Sequence, residues 1–223
     1  MSRAATMLVL AGALSLTFAS SPAPAAEGER NPALLDPSLA TDQAPESYRV
    51  KLETTKGDVV IEVQREWAPN AADRFYNLVK IGYYDGTRFF RVIDGFMAQV
   101  GMHGDPAVQA AWADASIPDD PVTHANTRGA VTFAAKASPN SRTTQIFINY
   151  GDNSYLTRYG AFAPFGMVIE GMEVVDSLYS GYGDGAPQGK GPSQAELTRR
   201  GNAYLDESFP KLDAIVHATL VGK

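Results

Sequence analysis

The sequence predicts a mainly-β protein: a closed eight-stranded antiparallel β-barrel capped by two helices, with an extra helical insertion near the C-terminus. Three observations lead there. Runs that alternate with a period of two, or that are short and continuously apolar, outnumber runs with helical spacing. The two principal helical runs fall after the first strand pair and late in the chain, so strands and helices do not alternate as they do around a parallel sheet. The chain of 223 residues is 44% apolar and shows no internal repeat, which suits a single core spread over residues 47–223.

Tyr48, Val50 and Leu52 alternate with Arg49, Lys51 and Glu53, the mark of a strand with one face buried. Lys56-Gly57-Asp58 is a turn signal, and Val59, Ile61 and Val63 then repeat the alternation, so the two runs form a hairpin. Phe75, Leu78 and Val79, with Ala71 and Ala72 a turn earlier, predict a helix over Pro69 to Ile81, capped by Asn70 and ended by Gly82. Phe89 to Val100, broken at Asp94-Gly95, reads as a strand pair. Residues 101–128 read as a long loop carrying short helices. Gly129–Ala134, Gln145–Tyr150 and Phe165–Ile169 are short strands, and Met172–Tyr179 is the second helix. The 181–212 stretch reads as an insertion, flexible and glycine-rich at first and weakly helical over 194–205. Ala214–Val221 supplies the last strand.

Composition removes several classes of function. A formal charge of -6 disfavours a nucleic-acid partner, which asks for cationic groups against phosphate. Without cysteine there is no disulfide, thiolate–zinc site or cysteine nucleophile, and the three histidines follow no metal-ligand spacing, so no metal is expected; no phosphate-binding loop appears either, and no cofactor is expected. Arg3 followed by the apolar run Met7–Ala19 and by Ala23-Pro24-Ala25 has the layout of a secretory signal peptide over residues 1–25. The run is too short for a comfortable membrane span, so no stable membrane insertion is expected after cleavage. The chain is expected to be exported to the periplasm and to act as a monomer. Residues 26–46 read as a flexible arm.

The chemistry rests on a constellation of long polar side chains set among apolar ones on short strands. Arg91 follows Phe89-Phe90, Gln99 follows Phe96-Met97, and Gln145 precedes Ile146-Phe147, with Leu156 further on. Taken singly, each has an ordinary structural reading: Arg91 a paired surface arginine, Phe96 and Met97 core, Gln145 a satisfied strand glutamine. His103 reads as a loop histidine, Trp112 as packing, and Asp152 and Asp184 as solvated loop residues.

Together, FFRVIDGFMAQVG at 89–101, NTRGAVTFA at 126–134, TTQIFIN at 143–149 and APFGMVIEGMEVVD at 163–176 resemble the cyclophilin family of peptidyl-prolyl cis-trans isomerases. NTRG and INYGDNSYL are most similar to its exported bacterial branch. The resemblance implies an enzyme that accelerates rotation about Xaa-Pro bonds in extended or unfolded polypeptides and so assists the folding of exported proteins. An alternative use of the same groove is a peptide-binding chaperone module that does not need turnover.

The chemistry is physically reasonable. Rotation about a peptide bond faces about 18–20 kcal/mol, because resonance makes the C–N bond partly double. A catalyst need only bind the twisted state better than either planar one. Rotation returns a lone pair to the proline nitrogen, and a guanidinium beside it disfavours resonance. The resemblance gives that role to Arg91 and places Gln99 beside it as the group holding substrate backbone. It makes Phe96, Met97, Phe147 and Leu156 the proline pocket, Gln145 a second glutamine of the groove, and Ala134 a small residue leaving room for the peptide. Departures also occur. Tyr155 stands where many members carry a tryptophan that donates to cyclosporin, which implies weakened drug binding with catalysis kept. Ala135-Lys136 replaces an alanine-adjacent asparagine, and Phe162 stands where a histidine often closes the pocket.

Overall fold

The alternation at the start of the ordered chain produces the burial it predicts. In β1 (Ser47–Thr54), Tyr48, Val50 and Leu52 face the core, as do Val59, Ile61 and Val63 in β2 (Gly57–Gln64). The two strands pair antiparallel from Ser47↔Gln64 to Thr54↔Gly57. The structure, a computed structural model, describes Met1 and residues 30–222. The expected signal peptide at 1–25 lies outside the described residues, apart from Met1. The residues from Asn31 onward form one compact unit. Among the described residues no helix is long and apolar enough to cross a membrane.

The remaining strands are β3 (Arg91–Ile93), β4 (Met97–Val100), β5 (Ala130–Phe133), β6 (Ile146–Asn149), β7 (Pro164–Glu170) and β8 (Ile215–Val221). All eight join one antiparallel sheet in the order β3-β4-β6-β5-β7-β2-β1-β8. The sheet curls into a half-barrel. Full closure by a ladder, as the sequence reading had it, is not formed: β3 and β8 at the two ends of the order do not pair. Backbone bonds between residues 86–89 and 213–215 link the two ends instead, including a bridge at Arg88↔Ala214.

Helix α1 (Pro69–Lys80) lays Ala71, Ala72, Phe75, Leu78 and Val79 into the core, and α3 (Met172–Asp176) adds Val175. The cap on α1 is not Asn70. The first free N–H groups, of Asn70 and Ala71, donate to the two carboxylate oxygens of Asp120 at 2.9 and 3.0 Å. Asp120 is held in turn by Arg142, whose fully buried guanidinium lies 2.9 Å from it. One ion pair therefore ties the long loop, the 134–145 loop and the helix N-terminus together, where a negative charge is also favoured by the helix dipole.

Two parts of the chain that read as loose are fastened. The expected flexible arm gives way, from Asn31 onward, to a segment with Ala33, Leu34 and Ala44 buried. Trp112, at the end of α2 (Pro106–Trp112), donates its indole N–H to the carbonyl of Leu34 at 3.1 Å. The N–H groups of Asp42 and Ala44 donate to Asn77 and Asp73 of α1. The polar composition of this arm concealed backbone groups whose partners lie on a distant helix. The second part is the insertion, where α4 (Gln194–Arg200) and α5 (Asn202–Ser208) build a small apolar core of their own: Leu197 and Leu205 close over Phe90 and Met102.

Candidate active site

Period-two geometry sorts the middle strands into two apolar faces. Val92, Ala98, Val100, Val131, Phe133, Ile146 and Ile148 enter the main core. Their alternates, Met97 and Phe147, join Leu156, Ile93, Phe96, Ala134 and Phe162 in a separate cluster on the outer face of the sheet. Strand register then sets a row across that face, since Arg91 pairs with Gln99, Gln99 with Phe147, and Phe147 with Thr132. A polar and an apolar wall therefore meet along a line of adjacent strands.

That line borders a cavity of about 290 Å³ lined by Arg91, Phe96, Met97, Gln99, Ala134, Gln145, Phe147, Leu156 and Phe162. These are nine of the ten residues singled out from the sequence. The tenth, Tyr155, is 44% exposed and does not line the cavity, although its neighbour Leu156 does. The short helical turn Ser154–Tyr159 sends the two side chains in different directions. Also on the cavity wall, and not picked out from sequence as lining, are Ser141, Thr143 and Gln194. A larger hollow of about 660 Å³ continues past Leu156 and Phe162, between residues 135–139 and 159–162.

The polar wall is a relay of side chains. Arg91 Nη1 donates to Gln99 Oε1 at 3.1 Å, and Gln99 Nε2 donates to Gln145 Oε1 at 2.7 Å. The reading of Asp184 as a solvated loop residue is overturned. Its carboxylate accepts from Arg91 Nε at 2.6 Å and from Nη2 at 3.1 Å, a two-point ion pair. Hydrogen bonding to the guanidinium, opposed in part by burial, holds the Asp184 carboxyl below the ordinary carboxylate value. Of the five N–H groups of Arg91, three are engaged, and one on each terminal nitrogen has no partner among the described residues.

The apolar wall rests on a buried amide network that the sequence reading did not find. Asn149 Nδ2 donates to Asn126 Oδ1 and to the Ala130 carbonyl, and Asn153 Nδ2 donates to Asn149 Oδ1. From this chain, Asn126 Nδ2 donates to the carbonyl of Phe162 at 2.9 Å, and Asn153 Nδ2 to that of Phe96 at 2.8 Å. Both aromatic walls are thus pinned through their backbones. An asparagine at the end of the apolar run Ile146–Asn149 was the available signal, because a buried amide needs partners. Gly101, with φ of +105°, lets β4 leave the sheet beside Thr144 and Gln145, where a Cβ would sit 2.5 Å from the Thr144 carbonyl oxygen.

Fold and cleft together define a class: β-half-barrels that set a guanidinium beside a ring-sized apolar hollow on the outer face of the sheet. Residues 49–196 match the family described as cyclophilin type peptidyl-prolyl cis-trans isomerase/CLD, and the chain belongs to that family. It is 36% identical over 143 residues to a peptidyl-prolyl cis-trans isomerase of Acinetobacter baylyi, covering 63% of this chain and 76% of the relative. Peptidyl-prolyl cis-trans isomerase B of Escherichia coli is 30% identical over 180 residues, 78% of this chain and 99% of the relative. A cyclophilin-type isomerase from Cryptosporidium parvum shares the fold at a TM-score of 0.58 and 22% identity, covering 79% of this chain and 99% of that one. The activity is accordingly peptidyl-prolyl cis-trans isomerisation.

Proposed function

We propose that this isomerase works on proline-containing segments of exported polypeptides, in the periplasm, with Arg91 as the catalytic group and Gln99 beside it. The observation that carries the reading is the junction of the two walls. Arg91 keeps N–H groups without partners among the described residues, on the rim of a hollow formed by Phe96, Met97, Phe147 and Leu156. The proline ring fills the hollow, which holds the ring while the acyl side of the bond turns. As the bond twists, the proline nitrogen regains its lone pair, and an Arg91 N–H donates to it. A donor already aimed at the charge that develops lowers the barrier without reorganisation. An acceleration of about 10⁴-fold corresponds to roughly 5.5 kcal/mol of preferential binding to the twisted state. Gln99, Gln145 and Gln194 offer amides to the backbone of the extended substrate.

Substrate class is supported by one related structure, a Cryptosporidium parvum cyclophilin determined in the presence of the dipeptide Ala-Pro. Export is supported by the Arg3, Met7–Ala19 and Ala23-Pro24-Ala25 layout. Expression of the full chain in a bacterial host with N-terminal sequencing of the periplasmic fraction tests it. A mature product beginning at Ala26 is expected, and an unprocessed cytoplasmic chain would reject export.

A further inference from the structure

We infer that Asp184 is a positioning residue of the isomerase, setting the plane of the Arg91 guanidinium, so that the insertion belongs to the catalytic apparatus. The inference rests on the assignment of Arg91 as the catalytic group. Within the sheet, Arg91 has a single side-chain hydrogen bond, to Gln99. One bond fixes a point and leaves a long side chain free to pivot about it. The Asp184 carboxylate bonds across Nε and Nη2, which fixes the plane, and leaves the outer N–H groups of the terminal nitrogens for substrate.

Asp184 is itself held. Its Oδ1 accepts from the Gly185 N–H at 2.7 Å, and its carbonyl accepts from the Gly191 N–H at 2.8 Å. The segment around it is clamped to the strand that carries Arg91. Phe90, the residue before Arg91, points the other way into the small core closed by Leu197 and Leu205. The same insertion supplies Gln194, whose Oε1 lies 3.4 Å from Gln145 Nε2 on the cavity wall. Arg91 and Gln194 also line a second recess of about 460 Å³ on the far side, walled by Asp184 and residues 185–188. The insertion therefore meets the chain on both sides at the start of β3, at Phe90 just before the strand and at Arg91, its first residue, where the chemistry needs aim.

A carboxylate beside Arg91 has two opposed effects. It partly offsets the positive charge, and it orients the donor. The Arg91 side chain is 27% exposed, so water screens the first effect. The direction of a hydrogen bond to a transient lone pair is not screened, and orientation dominates.

The test measures kcat and KM for a Xaa-Pro peptide by NMR exchange in wild type, Asp184→Ala, Asp184→Asn, Arg91→Ala and the Arg91→Ala/Asp184→Ala double variant. Asp184→Ala is expected to lower kcat by about tenfold and to leave KM within about twofold. Asp184→Asn keeps one oxygen for Gly185 and Nε but sets an amide NH2 against Nη2, so it is expected to lose less rate than the alanine variant without matching wild type. If the alanine variant does not fold, the asparagine variant carries the test and must show a smaller loss of the same kind. Because Asp184 acts through Arg91, its removal in the Arg91→Ala background is expected to cost nothing further. A loss of equal size in both backgrounds, or an Asp184→Ala enzyme as fast as wild type beside an inactive Arg91→Ala, overturns the inference while leaving Arg91 in place. An active Arg91→Ala overturns the parent assignment instead.

Discussion

Replacing Asn149 by leucine removes the centre of the amide network and leaves the shape of the side chain nearly unchanged. Asn149 is fully buried and makes hydrogen bonds to Asn126, Ala130 and Asn153 at 3.2, 2.8 and 2.9 Å. Each is worth about 1 kcal/mol net, and a buried carbonyl left without a donor costs about 1–3 kcal/mol more. Asn126 and Asn153 retain other partners, in Thr132 and the Phe96 carbonyl. Burying the leucine returns part of the loss, roughly 1.5–2 kcal/mol. The net expectation is a destabilisation of about 3 kcal/mol, which for a chain of this size lowers the melting temperature by roughly 6–12 °C. Activity should fall as well, by about tenfold in kcat/KM, because the network pins the backbones of Phe96 and Phe162. Urea unfolding and a peptide isomerisation assay on the folded variant read the two effects. Stability within about 0.5 kcal/mol of wild type and an unchanged rate would refute the claim that this network holds the apolar wall.

Other outcomes follow from the same structure. Arg142→Met leaves Asp120 buried without its cation and should cost about 3 kcal/mol in urea unfolding, while the Arg142→Met/Asp120→Asn pair should lose less than the two single changes predict together. Gly101→Ala forces a side chain into a left-handed backbone against the Thr144 carbonyl; it should destabilise by about 2 kcal/mol or more and raise KM through displacement of Gln145. The folded-state pKa of Asp184 is depressed, so its contribution to stability is present above the ordinary carboxylate value and lost as pH falls through the depressed one. Wild type should therefore exceed Asp184→Asn by a constant margin of at most about 1 kcal/mol at neutral pH; in thermal scans the margin should begin to shrink only below about pH 4 and vanish once the pH is under the depressed value.

Local pattern made much of the fold legible. Tyr48, Val50 and Leu52 against Val59, Ile61 and Val63 gave the first hairpin, because one face of it meets water and the alternation is written in polarity. In Met97–Val100 and Ile146–Asn149 burial does not alternate, because both faces are covered, one by the main core and one by the groove cluster. There the family motifs, rather than periodicity, identified the groove residues. What could not be read was partnership at long range. Nothing near Asn70 shows that Asp120 caps its helix, and nothing in the Gly181–Pro192 stretch shows that Asp184 reaches Arg91 across 93 positions of sequence. Tyr155 was singled out through the family's tryptophan position; its side chain is exposed and lies off the cavity that its neighbour Leu156 lines, because the chain turns tightly between them.

The assignment of Arg91 is tested most directly by the isomerisation rate of a Xaa-Pro peptide with wild type and Arg91→Ala side by side, after both are shown to be folded. Loss of a donor aimed at the developing charge should lower kcat/KM by about 10²–10³-fold with the fold intact. Turnover near that of wild type would contradict the assignment.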